Sequence, residues 1–289
     1  MDADLAKPSD REDEPMNAAL RNSVPSGRTP PPHGFLEAIR LLGTPVTCAT
    51  YASALERIKE LAEEARPTAV CPCNTHIIAE ARHNPDFAKV LARFDLVLPD
   101  GMPVVWALNA GGAGLKDRVY GPYFMRHSVE NAPRPWRHFF FGDSQECLAE
   151  LRHVLGRLQP DIEIVGMLSP PFRRFTEADE MLFADTINRA NPDFVWVALP
   201  GVRMERWIIE NQRRYRRGVF LAVGDAFSLL SGRRSFAPPW MQRMGLTWAY
   251  RLCKEPIRLG PRYLRYNSMF LSYLLWDTLR RRAWQRSVR

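Results

Sequence analysis

The chain has 289 residues, 46% of them apolar, and a formal charge of +8 at pH 7. That length allows one large domain, or one domain with an appendage, and the charge points to an anionic partner such as nucleic acid, phospholipid headgroups or a diphosphate. No run of about 18 apolar residues occurs, which argues against a transmembrane helix, and five scattered cysteines read as reduced thiols rather than a disulfide framework.

Residues 1–33 mix Asp2, Asp4, Asp10, Glu12, Asp13 and Glu14 with Arg11, Arg21 and Arg28, then end in Thr29-Pro30-Pro31-Pro32. The stretch holds no apolar core of a signal peptide, and its low hydrophobicity predicts a disordered tail. From Gly34 strands and helices alternate. Strands are predicted at 68–71, 96–98, 137–141, 162–165, 194–199 and 219–223. Helices are predicted at 75–82, 85–93, 104–109, 146–157, 177–189 and 204–212. Short, continuously apolar strands such as FVWVAL at 194–199 fit a sheet covered on both faces. The alternation predicts βαβ units, hence a Rossmann-like, mostly parallel α/β sheet flanked by helices over residues 34–232.

Such a sheet binds ligands beyond the carboxyl ends of its strands. Three segments fall there: Asn74, Asp100 in Pro99-Asp100-Gly101, and Gly142-Asp143-Ser144. Gly142 would allow a nucleotide to approach the backbone, or simply end its strand in a turn. The segment is not G-x-G-x-x-G, which argues against a dinucleotide cofactor. Asp100 belongs to an Asp-Gly turn dipeptide or supplies a carboxylate at the ligand site. Asn74 and Thr75 serve as a helix cap or as hydrogen-bond partners for a ligand. Cys71 and Cys73 lack the further ligands of a zinc site, so both are expected as small buried side chains and no metal is expected. His76 is expected to be structural.

Residues 233–289 differ in character. Thirteen basic residues there face only Glu255 and Asp277, with eight Trp, Tyr and Phe residues interleaved from Trp240 to Trp276. This composition suits a basic aromatic appendage at an anionic membrane surface, a solvated helix pair on the core, or nucleic-acid binding. No nucleic-acid motif accompanies it. Pro256 and Pro261 are expected to interrupt any single helix.

Five segments carry a family resemblance. They are NTHIIAEARHNPDFAKVLARFDLVLPDGMPVVWAL from Asn74, DRVYG at 117–121, PDFVWVALPGVRMERWI at 192–208, FLAVGDAFSLLSG at 220–232, and APPWMQRMGLTWAYRLCKEPIRLGPRYLRYN at 237–267. In order and spacing the chain resembles the WecG/TagA/CpsF glycosyltransferases. The resemblance implies inverting, metal-independent hexosyl transfer, without a cofactor, from a UDP-sugar to a polyprenyl-diphosphate-linked saccharide in bacterial exopolysaccharide or cell-surface glycan synthesis. It implies N-acetylmannosamine, its uronic acid or glucose as the sugar. It also implies a C-terminal appendage docking peripherally at the cytoplasmic face of the inner membrane, a shift between homo-oligomer and membrane-bound monomer, and no nucleic-acid partner.

Under that resemblance Asp100 becomes the catalytic base, taking the proton of the attacking hydroxyl. Asn74, Thr75, Gly142 and Glu205 become substrate contacts. Arg118, Arg251, Arg258, Arg262 and Arg265 become partners of phosphate. Alternative local readings remain: a surface pair with Asp117 for Arg118, and a solvent-facing first-turn residue for Glu205. The chain departs from the family pattern at Pro72, Met204, Ser228, Phe236 and Thr247, where members carry Thr, Gln, Asp, Arg and Glu. Lost polar groups near a sugar predict altered specificity, or a membrane-associated scaffold without catalysis.

Overall fold

The computed structural model describes residues 36–131 and 135–287; the tail expected over residues 1–33 lies outside these. It opens with an antiparallel hairpin of β1 (Ala38–Leu41) and β2 (Thr44–Thr47). The two turn residues, Leu42 and Gly43, both have positive φ (51° and 94°), the geometry that matches strand twist in a two-residue hairpin. Six further strands form one parallel sheet: β3 (Pro67–Cys73), β4 (Leu96–Pro99), β5 (Arg137–Gly142), β6 (Glu163–Leu168), β7 (Phe194–Ala198) and β8 (Gly218–Ala222). Their order is β4-β3-β8-β7-β5-β6. The expected Rossmann-like α/β architecture is what the chain adopts.

The helices are α1 (Tyr51–Glu63), α2 (Thr75–His83), α3 (Pro85–Leu91), α4 (Met102–Asn109), α5 (Gly121–Glu130), α6 (Gln145–Leu158), α7 (Glu177–Ala190), α8 (Arg203–Asn211), α9 (Ala226–Leu230), α10 (Pro239–Arg243), α11 (Thr247–Lys254) and α12 (Pro256–Ser287). Successive strand side chains alternate between two apolar layers, because the pleat has a period of two. Phe194 and Trp196 of β7 join Leu55, Phe124, Leu151 and Phe227 from α1, α5, α6 and α9. Val195 and Val197 join Ile78, Phe87, Val104, Ile187 and Trp207 from α2, α3, α4, α7 and α8. Cys71 and Cys73 are fully buried in this second layer, as small core side chains.

The C-terminal helices pack on that second layer. Phe270 of α12 is buried in the core it shares with the sheet. Along α2, Tyr266 donates to Glu80 at 2.9 Å, and Thr75 donates to Asn267 at 2.9 Å. The expected break occurs at Pro256, between α11 and α12, but not at Pro261. Pro256 opens α12, where a missing N–H costs little. Pro261 lies inside the helix and forfeits one backbone bond, which burial of Leu259 and Phe270 on either side outweighs.

Candidate functional site

A cleft of about 1160 Å³ opens at the carboxyl ends of the strands, roofed by α11 and α12. The edge strand β4 and every central strand deliver a residue to it: Asp100 after β4, Asn74 after β3, Asp225 after β8, Leu199 after β7 and Asp143 after β5. This is where a parallel sheet collects ligand groups, since helix N-termini and loop amides converge there.

Asp100 follows directly on β4, its N–H donating to the Cys73 carbonyl at 3.1 Å. Gly101 then turns the chain with a φ of 93° and opens α4. The Asp-Gly pair therefore makes the turn, and the same turn sets Asp100 in the cleft wall. Burial pushes the Asp100 carboxyl up to about 6, against the pull of Arg118 and Arg251 and with a small push from Asp225. A carboxylate so raised is a better base than an exposed one, yet stays ionised at neutral pH.

Arg118 is only 7% exposed. Its guanidinium donates to the Thr247 hydroxyl at 2.8 Å and lies 4.7 Å from the Tyr120 ring centre. Asp117 takes only its backbone N–H, at 2.7 Å, so the expected alternative of a surface pair is not formed. The departure at Thr247 thus sets a neutral hydroxyl against this cation, leaving its charge facing the cleft. Arg251, from α11, pairs with Asp225 at 2.5 Å. Arg258 and Arg262 of α12 also line the cleft. Arg258 is held by Glu255 one turn earlier, whereas Nε of Arg262 is buried without a partner.

Glu205 is the most secluded ionisable group in the wall, 2% exposed, with Oε2 lacking any partner. Burial pushes it up to about 7, partly offset by a backbone hydrogen bond. It is therefore no solvent-facing first-turn residue; at lower pH it is a neutral acid able to donate into the cleft. Asn74 caps α2, accepting from the N–H groups of His76 and Ile77 at 3.1 and 3.3 Å, and its residue still lines the cleft. Thr75 lines it too, with its hydroxyl given to Asn267.

Two sequence candidates lie elsewhere. Gly142 ends β5 and does not line the cleft; a Cβ there would sit 2.2 Å from the Ala198 carbonyl oxygen, so strand packing demands the glycine. Arg265 is exposed on the far side of α12, over the ring of Tyr266. His76, expected to be structural, does border the cleft, 4.1 Å from the Tyr266 ring and held down to about 4, by burial and then Arg262. Asp143, placed at the ligand edge by the Gly142-Asp143-Ser144 segment but given no role of its own from sequence, and Asp225 also line the cleft.

Four of the five family departures border this cleft: Pro72, Met204, Ser228 and Thr247. Ser228 donates to Asp143 at 2.7 Å, and the sulfur of Met204 accepts from the Gly224 N–H at 3.4 Å. Phe236, the fifth, stacks flat on Tyr123 at 4.9 Å. Among the described residues no three His, Cys, Asp or Glu side chains cluster as metal ligands; the cations facing the cleft are arginines.

The family model described as the Glycosyl transferase WecG/TagA/CpsF family matches residues 39–284. An N-acetylglucosaminyldiphosphoundecaprenol N-acetyl-beta-D-mannosaminyltransferase of Bacillus spizizenii is 31% identical over 190 residues, covering 65% of this chain and 72% of its own. The enzyme of the same name from Bacillus subtilis is 30% identical over 187 residues, covering 64% and 71%. A third, from Staphylococcus aureus, is 19% identical over 225 residues, covering 77% and 87%. With the family model matched across residues 39–284, the chain belongs to the WecG/TagA/CpsF family of glycosyltransferases.

Proposed function

We propose that this glycosyltransferase moves a sugar from a UDP-sugar to a polyprenyl-diphosphate-linked saccharide by a single inverting displacement. The observation that carries the reading is Asp100, a half-buried carboxylate in the field of Arg118 and Arg251 at the strand ends. The acceptor hydroxyl attacks the anomeric carbon while Asp100 takes its proton. The bond from that carbon to the β-phosphate oxygen breaks, and its electron pair leaves with UDP. Arg118, Arg251, Arg258 and Arg262 offset the charge that develops on the leaving diphosphate. Asn74 and Glu205 contact the sugar.

The acceptor's lipid and the appendage fit one arrangement, a peripheral enzyme on the cytoplasmic leaflet. Ile257, Leu264, Leu271 and Leu275 recur on one face of α12 and are all exposed. Arg258 and Arg265, also exposed, stand beside that stripe. An apolar stripe edged by cations suits the boundary between acyl chains and anionic headgroups. No described helix is long and apolar enough to cross a membrane.

The test is UDP release with purified protein, a detergent-dispersed polyprenyl-diphosphate N-acetylglucosamine and a panel of UDP-sugars including UDP-N-acetylmannosamine. Acceptor-dependent release from one donor, abolished by Asp100→Asn with UDP still bound, is the expected result. A protein that binds no UDP or UDP-sugar would sink the reading. For the membrane, Leu264→Asp should lift the protein off anionic vesicles while release in detergent persists.

A further inference from the structure

An inverting displacement fixes the side from which the acceptor enters. Its oxygen attacks opposite the departing phosphate, and the base must face that oxygen. Arg251, tied to Asp225 at the tip of β8, marks the phosphate side. Asp100 follows β4, two strand spacings or roughly 10 Å further along the sheet. The acceptor therefore reaches Asp100 from the β4 edge. At that edge stands α4, which starts at Met102 and touches β1 of the hairpin whose β2 lies against β4.

We propose that Trp106, flanked by Met102 and Trp248, is the platform on which the acceptor's terminal sugar ring stacks, presenting its hydroxyl to Asp100. This rests on the transferase reading above and adds a specificity-determining side chain for the acceptor. Met102 and Trp106 are four residues apart, so they share one face of α4, and both line the cleft with Trp248 of α11. Trp106 is 55% exposed, a large apolar surface with no core to fill. A pyranose has a face made of C–H groups, and the electron-rich face of an indole suits it. The indole N–H has no partner among the described residues, which leaves it a donor for a sugar hydroxyl.

The ring is braced from the appendage. Between α10 and α11 the chain turns at Gly245, φ 74°, so closely that a Cβ there would sit 2.8 Å from Met102 Cβ and 3.4 Å from Trp106 Cη2. The Leu246 N–H secures that turn by donating to the Met241 carbonyl at 2.7 Å. Trp248 meets the Tyr263 ring edge-on, with centres 6.5 Å apart. Trp106 lies one helical turn, about 6 Å, beyond Met102, a span that suits one sugar ring. The attacking hydroxyl belongs to the sugar, and two phosphates separate that sugar from the lipid. What lies beside Asp100 is therefore the ring and not an isoprene.

Titration calorimetry of the UDP-bound protein tests the assignment with two probes: N-acetylglucosaminyl diphosphate on a short alkyl chain, and the alkyl diphosphate without the sugar. Trp106→Ala should weaken the glycosylated probe about tenfold, with the sugarless probe and UDP itself within about twofold of the parent. Trp106→Phe, which keeps a flat face, should recover most of the loss; Trp106→Leu, which keeps only apolar bulk, should not. The ring is exposed, so the variants keep the core, and the contrast between Phe and Leu stands without reference to the parent. Unchanged binding of the glycosylated probe by Trp106→Ala would overturn the platform, as would full recovery by Leu. An equal loss for the sugarless probe would assign the ring to the lipid and overturn it too. So would a UDP-bound parent that binds the glycosylated probe no better than the sugarless one. All of these leave the transferase reading intact; a parent that binds neither UDP nor a UDP-sugar removes that reading itself.

Discussion

The two ends of the cleft are built on different principles. At the β4–β3 end a raised carboxylate, Asp100, meets Arg118 and Arg251, and two of these three are delivered or held by the C-terminal helices, through Thr247 and α11. At the β5–β6 end one carboxylate, Asp143, accepts from Ser144 beside it and from Ser228 of α9, with Pro170, Pro171 and Phe172 in the loop after β6. The first end concentrates charge, and strong fields need partners drawn from separate segments. The second offers shape and a fixed acceptor, which two strand-end loops supply with one hydroxyl from α9. Under the proposed function, the chemistry belongs to the end that the C-terminal helices help to build.

That division is open to attack. Asp100→Asn should lower kcat by about 10²- to 10⁴-fold with UDP affinity within about twofold; a comparable loss of affinity would mean that the charged end also carries recognition. Arg251→Ala should cost about 10²- to 10³-fold in kcat and weaken pyrophosphate, with Arg251→Lys recovering part of the loss. If pyrophosphate binding is unmoved, the cation does not face the leaving group.

Glu205, between the ends, makes a stability prediction. Its folded value of about 7 lies above the ordinary 4.5, so between those two values the folded state keeps a proton that the unfolded chain has released. Stability therefore declines as pH rises through this window and stays lower above it. Glu205→Gln removes that decline, so the variant should gain up to about 3 kcal/mol relative to the parent between pH 5 and 8 in denaturant titrations. A parallel pair of curves would mean that Glu205 is not secluded in solution. The smallest effect is in the pH profile. Asp100 must be ionised to act, so kcat/KM should fall about tenfold per pH unit below about 6 and level off above. A flat profile down to pH 5 would remove Asp100 as the base.

Much of the fold was legible because a parallel sheet writes itself into the sequence. Strands buried on both faces need unbroken apolar runs, and FVWVAL or RHFFF admit few other uses. The hairpin of β1 and β2 escaped because four-residue strands carry too short a pattern for a period of two to show. Helix α1 could have been found: Thr50 caps it, and buried Ala54, Leu55, Ile58 and Leu61 follow helical spacing. Continuity of α12 through Pro261 could not, since the burial that outweighs one lost bond is tertiary.

At the site, the sequence by itself determined which segments reach the ligand edge. A turn after a parallel strand has nowhere else to go, and the family motifs mark Asp100, Asn74 and Arg118. Only the tertiary structure decided which side chains face inward there. Arg262 turns toward the cleft and Arg265, three residues on, away from it, by the rotation of one helix against α2. Arg118 finds Thr247 across 129 positions, and Asp143 finds Ser228 across 85. Local propensity sets the backbone, whereas contacts at such separations follow from how packed elements are rotated and stacked, and no short-range pattern encodes that.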